Sequence, residues 1–265
     1  MLKALILDWA GTAVDFGSRA PMGAFVEAFG QFGVMLSIEE ARGPMGLPKR
    51  DHVASLIYSP AIATRWQQAQ GAAPTEADVD RVLAVFEPLN VEVIPRHADL
   101  IPGLLEVVAE ARRRGMKIGS TTGYTRPIME KLMPLAASAG YAPDNVVCAG
   151  DLVAGRPSPL MMYRTFADIG VWPPGACVKL DDTEPGIAEG LAAGTWTVGL
   201  ALSGNAAGLS KAELDRLAPD ERAALRKRAS DKLARAGAHF VIDTVADLLP
   251  VLDAIEARLA AGLRP

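Results

Sequence analysis

The sequence predicts an α/β protein: a doubly wound, Rossmann-like parallel sheet carrying a helical cap domain. Three observations point there. Short apolar runs stop at acidic residues, as Leu2–Leu7 does before Asp8 and Cys177–Leu180 before Asp181-Asp182. Beyond Pro102 such runs alternate with segments of helical spacing, the pattern of a parallel sheet covered by helices. Between about residues 18 and 98 the spacing is helical with no convincing strand, which marks an insertion. The expected division is a catalytic core of residues 1–17 and 99–265 and a cap of residues 18–98.

Taken in order, Leu2–Leu7 is a buried first strand. From Pro21, Met22, Phe25, Val26 and Phe29 recur at helical spacing, and Gly30 and Gly33 weaken or end that helix. Ser37-Ile38-Glu39-Glu40 is a capping box, in which Ser and Glu side chains satisfy free backbone N–H groups at a helix start. Pro48 at the first helical position opens a third helix, with Lys49, His52, Val53 and Leu56 on one face. A fourth opens at Thr75 and turns Val79, Val82, Leu83 and Phe86 inward. Leu104–Arg114 is helical up to Gly115, and Met116–Thr121 is a strand ending in Thr122-Gly123. Another helix leads to the strand Asn145–Cys148. Then come the helix Met161–Ile169, the strand Cys177–Leu180 and the helix Ile187–Ala193. Strands Thr195–Leu200 and His239–Ile242 follow, and Val245–Leu259 is a final helix. The charged segment Leu209–Ala236 is helical in pattern, and its cluster Arg226-Lys227-Arg228 reads as a solvated face.

Composition narrows the function. Half the residues are apolar and 22% are charged, as in a folded domain. With 27 Lys+Arg against 31 Asp+Glu the net charge is −4, so no basic field draws the chain to nucleic acid. No apolar stretch approaches the roughly 20 residues of a membrane span. The start MLKALILDWAGT lacks the long apolar region and cleavage site of a secretory signal. Cys148 and Cys177 lie in apolar runs and read as reduced core residues, consistent with a cytoplasmic address.

Ligands of such sheets bind beyond the carboxyl ends of the strands. Three strand ends bring polar residues to that rim: Asp8 with Gly11-Thr12, Thr121-Thr122-Gly123, and Asp181-Asp182. The loop Gly155–Pro159 adds Arg156. Carboxylates converging from different strands suit a hard cation such as Mg²⁺. Hydroxyls, glycine N–H groups and an arginine suit a phosphate or phosphonate. An acidic pair after a strand can also serve as a helix cap; Asp8 on the same rim favours the metal reading.

Asp8-Trp9-Ala10-Gly11-Thr12 after a strand, Thr122, Gly155-Arg156-Pro157, and Asp181-Asp182 after a strand stand in the order of four known motifs. In this the chain resembles the haloacid dehalogenase superfamily over about residues 1–16 and 100–200. The resemblance implies the Rossmann-like core, Mg²⁺ and Asp8 as nucleophile. Phosphatases of that superfamily carry a second Asp two residues after the nucleophile, to protonate a departing alkoxide. This chain has Ala10 there, the absence of a general acid typically worth about 10²–10⁴-fold.

Longer strings are more specific. Arg42-Gly43-Pro44-Met45-Gly46-Leu47-Pro48-Lys49-Arg50-Asp51-His52-Val53 resembles the cap signature of the phosphonoacetaldehyde hydrolases. So do Asp8-Trp9-Ala10-Gly11-Thr12, with alanine the expected residue, and Ser120-Thr121-Thr122-Gly123-Tyr124-Thr125-Arg126. The similarity extends over nearly the whole chain. It implies an imine-forming cap lysine at Lys49, and Mg²⁺ ligands at Asp8, the Ala10 carbonyl and Asp182. It also implies phosphonyl contacts at Thr122 and Arg156, a homodimer formed through the cap, and a place in 2-aminoethylphosphonate degradation. Some members have Gly and Asp where this chain has Asp181 and Gly186, which leaves open which carboxylate of the pair touches the metal. Some carry a Cys at the position of Ser18.

The chemistry independently needs a lysine. A C–P bond breaks heterolytically only if carbon can hold the electron pair; an iminium on Lys49 lets it leave as an enamine. Asp8 attacks phosphorus, with charge stabilised by Mg²⁺ and Arg156, and the acyl phosphate is then hydrolysed. Lys49 must be neutral to begin, and at a pKa near 10.4 only about 0.04% is neutral at pH 7. Burial under the cap, the helix start and Arg50 would all lower it. His52, one turn on, is a candidate proton relay. Thr12 on the rim, and Met45 and Tyr124 as pocket walls, complete the substrate-binding candidates. A phosphomonoesterase or sugar-phosphate mutase is the enzymatic rival, disfavoured by Ala10. A catalytically dead binding protein is disfavoured by the intact Asp8, Lys49, Thr122, Arg156 and Asp182.

Overall fold

In the computed structural model, which describes residues 1–265, six strands form one all-parallel sheet. They are β1 (Ala4–Leu7), β2 (Lys117–Thr125), β3 (Val147–Ala149), β4 (Cys177–Asp181), β5 (Trp196–Leu200) and β6 (Phe240–Ile242). The order is β3-β2-β1-β4-β5-β6, so the winding reverses beside β1. Leu7 pairs with Ser120 on one side and Leu180 on the other, which puts Asp8 and the end of β4 at the reversal crevice.

The strands are apolar because both faces are covered. Leu5 and Leu7 pack toward α6 (Leu104–Arg113), α7 (Arg126–Ser138) and α12 (Leu248–Ala260). Ala4 and Ile6, on the opposite pleat, pack toward α8 (Leu160–Ile169). The remaining core helices are α9 (Glu184–Ala192), α10 (Lys211–Arg216) and α11 (Pro219–Arg235). On α11, Arg226 pairs with Asp243 and Lys227 with Asp231 at the exposed surface, as expected of a solvated face.

The insertion is a helical lobe of α1 (Ala20–Gly30), α2 (Ile38–Arg42), α3 (Lys49–Ile57), α4 (Pro60–Gln70) and α5 (Glu76–Val93). It has its own apolar cluster, with Phe25 stacked on Phe86 at 4.0 Å between ring centres. Three local expectations need correction. The helix α4 is unanticipated; it buries only Ile62 and Trp66, too sparse an apolar pattern to read. Pro48 is the cap residue, with extended ψ of 143°, and Lys49 is the first helical residue. Strand β2 runs on to Thr125 with a register shift between Thr122 and Thr125, so Thr122-Gly123-Tyr124 lies within a bulged strand end.

The two linkers between the lobes are stapled together. Asp15, in the left-handed region at φ 54°, accepts from Ala20 N–H at 2.8 Å and meets His97 Nδ1 of the return linker at 3.1 Å. Arg42 of the cap donates to the carbonyls of Gly17 (2.9 Å) and Gly208 (3.1 Å) and to Asn205 Oδ1 (3.1 Å). The loop ahead of α3 lies against the core through glycine. Gly46 has φ 95°, and a Cβ there would fall 2.3 Å from Thr183 Oγ1.

Gly46→Ala should therefore leave both cores folded but hold the lobes apart. The strain of a positive-φ alanine is about 1–3 kcal/mol, before any clash with Thr183. The expected outcome is a small fall in melting temperature with a much larger fall in kcat/KM, read by parallel thermal melts and turnover. Unchanged turnover would show that this close approach is not needed.

Candidate active site

Asp8 is the first residue beyond β1, its N–H held by the Leu180 carbonyl at 3.1 Å. Asp181 ends β4 and Asp182 follows it; ligand oxygens of these three buried carboxylates lie within 4.8 Å of one another. The pair divides its tasks. Asp181 accepts from Thr183 N–H (3.1 Å) and O–H (2.7 Å), and its other oxygen lies 3.2 Å from Arg156 and 3.1 Å from Lys179. Asp182 accepts from Asn205 N–H at 2.6 Å through Oδ2, while its buried Oδ1 has no partner. A Cβ on Gly11 would fall 2.3 Å from Asp182 Oδ2, so that glycine makes room for the carboxylate.

Four buried carboxylates, Asp8, Asp181, Asp182 and Glu189, surround two buried cations, Arg156 and Lys179. The deficit of two positive charges appears in the proton affinities. Burial, then the charge of Asp181, pushes the Asp8 carboxyl up to about 6, against the pull of Arg156 and Lys179. Burial, then Asp8 and Asp181, pushes Asp182 well above the usual carboxylate range. A divalent cation would balance the cluster. Asp8 and Asp182 offer it hard oxygens, and Ala10 lies beside Asp8 on the cavity wall. Residues and metal fit, and the orphaned Oδ1 makes Asp182 the better placed of the acidic pair.

Arg156 and Asp8 meet at 2.8 Å, Nη2 to Oδ1, and the same nitrogen donates to the Thr121 carbonyl at 2.7 Å. Nε faces Glu189 at 3.1 Å. Nη1 makes no hydrogen bond within the protein. Thr122 Oγ1 accepts the Tyr124 N–H at 3.1 Å, which leaves its hydroxyl proton for a ligand.

Lys49 reaches this centre from the cap and is 3% exposed. Its amine lies 3.9 Å from Met45 Sδ, 5.2 Å above the Tyr124 ring and 5.7 Å from the Phe25 ring, with no carboxylate within ion-pair distance. Burial is the main force drawing its pKa down from 10.5 to about 8; the Asp8 charge resists. The ring contacts also favour the ammonium, but near the outer limit of such attractions, worth about 0.5–1 kcal/mol each.

Asp8, Ala10, Thr122 and Arg156 of the core thus share one cavity with Met45 and Lys49 of the cap, and Tyr124 joins them. Its free space is about 20 Å³, room for one or two waters. Four expected residues are not on its wall: Asp181 and Asp182 lie beside Asp8 behind it, and His52 and Thr12 are turned elsewhere. His52 lies in the cap interior, its ring stacked 4.1 Å from Phe25 and Nε2 2.9 Å from the Ala41 carbonyl. Burial, then the Lys49 charge, holds it well below the usual histidine range. Thr12 is fully buried with its hydroxyl unpartnered. Sequence reasoning placed Thr121 on the rim and Arg42 in the cap motif without giving either a role, and missed Asn205, Lys179 and Glu189. Of those three only Lys179 left a signal, as a charge in the middle of an apolar strand.

Residues 2–194 match the family model of the haloacid dehalogenase-like hydrolases. The chain is 54% identical over 264 residues to the phosphonoacetaldehyde hydrolase of Paraburkholderia xenovorans, covering 100% of this chain and 99% of that one. Identity to the phosphonoacetaldehyde hydrolase of Klebsiella pneumoniae is 50% over 266 residues, with the same coverage. The crystal structure of a phosphonoacetaldehyde hydrolase-like protein from Oleispira antarctica superposes with a TM-score of 0.98 at 42% identity, covering 100% of this chain and 96% of that one. A β-phosphoglucomutase from Clostridium difficile shares the fold at a TM-score of 0.70 and 15% identity, over 98% of this chain and 100% of that one. No helix is long and apolar enough to cross a membrane.

Mg²⁺ added to metal-stripped protein should raise the melting temperature by several degrees, since a ligand at a hundred times its Kd contributes about 2.7 kcal/mol. Asp182→Asn should lose most of that rise. An unmoved melting curve would mean that the carboxylates hold protons instead of a metal.

Proposed function

The chain belongs to the phosphonoacetaldehyde hydrolase family of haloacid dehalogenase-like hydrolases, and on that premise we propose that it cleaves the C–P bond of phosphonoacetaldehyde, giving acetaldehyde and phosphate through an imine on Lys49 and attack by Asp8. One observation carries the mechanistic part: a buried lysine with no counter-charge faces the cavity of Asp8, where Ala10 takes the place of an acid. Esters need the acid; a C–P bond needs the amine.

With a pKa of about 8, about 9% of Lys49 is neutral at pH 7, against about 0.03% for an amine at 10.5. The neutral amine adds to the aldehyde carbon, and loss of water with uptake of one proton leaves an iminium. Asp8 then attacks phosphorus; the C–P electron pair moves into the iminium, which becomes an enamine, and the phosphoryl group passes to the Asp8 oxygen. Protonation of the enamine carbon and hydrolysis of the imine release acetaldehyde and restore Lys49. Water cleaves the acyl phosphate, releasing phosphate and restoring Asp8. The free Nη1 of Arg156 and the Thr122 hydroxyl are the donors suited to phosphonyl oxygens. Mg²⁺, which the donor set suits, would supply charge neutralisation between Asp8 and the phosphonyl group.

The cavity is too small for the substrate as it stands, so the cap parts to admit it and closes over it. His52 supports the face from which Lys49 projects; remaining neutral, it adds no charge beside the amine.

Borohydride added with phosphonoacetaldehyde should reduce the imine to a secondary amine, inactivate the enzyme and place the adduct on Lys49, not on Lys117 or Lys179. Lys49→Arg should fold and lose several orders of magnitude in acetaldehyde release, and Ala10→Asp should not restore it. A Lys49→Arg protein releasing acetaldehyde at near wild-type rates would sink the imine mechanism and revive the phosphomonoesterase reading.

A further inference from the structure

Behind the cavity lies a fully buried charge pair that the mechanism above does not use. Glu189 of α9 accepts through Oε2 from Arg156 Nε (3.1 Å) and Thr121 Oγ1 (2.8 Å). It also pairs with Lys179 of β4 at 3.2 Å. Lys179 in turn meets Asp181 at 3.1 Å and donates to Thr121 Oγ1 at 2.7 Å. Both side chains are completely shielded from solvent, and neither lines the cavity. The packing is shaped for them: a Cβ on Gly190 would fall 2.9 Å from Lys179 Cβ. Buried ion pairs are often no more stabilising than apolar residues of the same size, so stability alone does not explain the pair.

Arg156 supplies the explanation. Asp8 and Asp181 both approach the Nη2 corner of its guanidinium, at 2.8 and 3.2 Å. An arginine free to turn there would engage a carboxylate with both terminal nitrogens, the preferred forked geometry. That would occupy Nη1 and tie up the Asp8 nucleophile. Glu189 grips the neighbouring donor, Nε, and with Nη2 engaged this fixes the plane of the fork and leaves Nη1 as the free donor. Lys179 balances the Glu189 charge and holds Asp181 on its own side.

We propose that Glu189, seated by Lys179 and Thr121, is a positioning residue that fixes the Arg156 guanidinium so that Nη1 faces the cavity for a phosphonyl or phosphate oxygen. This rests on the reading of Arg156 as the phosphonyl-binding cation.

The test is Glu189→Gln, which keeps size and an acceptor but removes the charge. Affinity for inorganic phosphate, measured by calorimetry, and kcat/KM for phosphonoacetaldehyde should both fall by about tenfold to a hundredfold. Borohydride trapping of acetaldehyde on Lys49 should not change, because that aldehyde has no phosphonyl group to meet Arg156. In an Arg156→Lys background, which has no Nε, the Glu189→Gln change should cost less than about twofold. Equal losses in both backgrounds, or a matching loss of acetaldehyde trapping, would assign Glu189 a merely structural part and overturn the proposal. If Glu189→Gln fails to fold, Thr121→Val should reproduce the phosphate-binding loss and Thr121→Ser should restore it; no difference between these two would count equally against it. Phosphate binding needs no C–P turnover, so this result stands whether or not phosphonoacetaldehyde is the substrate.

Discussion

The proposed imine chemistry needs an amine that can lose its proton, and Lys49 is held away from bulk water with no carboxylate within ion-pair distance; much of the architecture serves that constraint. Lowering Lys49 from 10.5 to about 8 costs the fold roughly 3 kcal/mol at neutral pH. The sign follows from the depressed value. Below about pH 8 the folded state carries the whole cost. Between about 8 and 10.5 the unfolded chain still binds the proton and the folded chain does not, so stability rises with pH there. The apolar cluster of the cap, independent of the sheet's, is what can bear such a cost. The amine is dry only where the lobes meet, and Gly46 allows the cap loop to settle against Thr183.

The other side of the cavity poses the opposite electrostatic problem. The sheet reverses its winding beside β1, which collects acidic strand ends in one crevice, and burial makes their mutual repulsion expensive. Arg156 and Lys179 offset part of it, and a divalent cation suits the rest. A neutral Lys49 is compatible with that balance, since it adds no charge of its own. On the proposed mechanism the two lobes would supply what C–P cleavage requires on each atom: a place for electrons on carbon, and a shielded nucleophile with cations at phosphorus.

Much of this was legible in the sequence, for physical reasons. A parallel strand buried on both faces must be apolar, so an abrupt stop at Asp8 or Asp181 marks a strand end on the functional rim. The capping box at Ser37 is local chemistry and forms as read. What escaped reading depends on partners far along the chain. Helix α4 buries too little to show a period. Glu189 looks like any helix-surface glutamate until Arg156 and Lys179 close on it from other elements. Arg42 stands in a readable motif, yet its acceptors at Gly17, Asn205 and Gly208 exist only once the lobes dock. Helical spacing correctly set His52 on the Lys49 face, but could not show that Phe25 and the Ala41 carbonyl would hold its ring inside the cap.

The most direct test of the constraint is to titrate the Lys49 amine itself in metal-free protein, by NMR of the lysine side-chain ε-carbon. Its signal is assigned by its absence from Lys49→Arg. The expected midpoint is near pH 8 in the closed protein, moving toward 10.5 when Gly46→Ala keeps the cap from seating. A wild-type midpoint at the ordinary lysine value would contradict the central claim, because the lobes would then not be drying the amine at all.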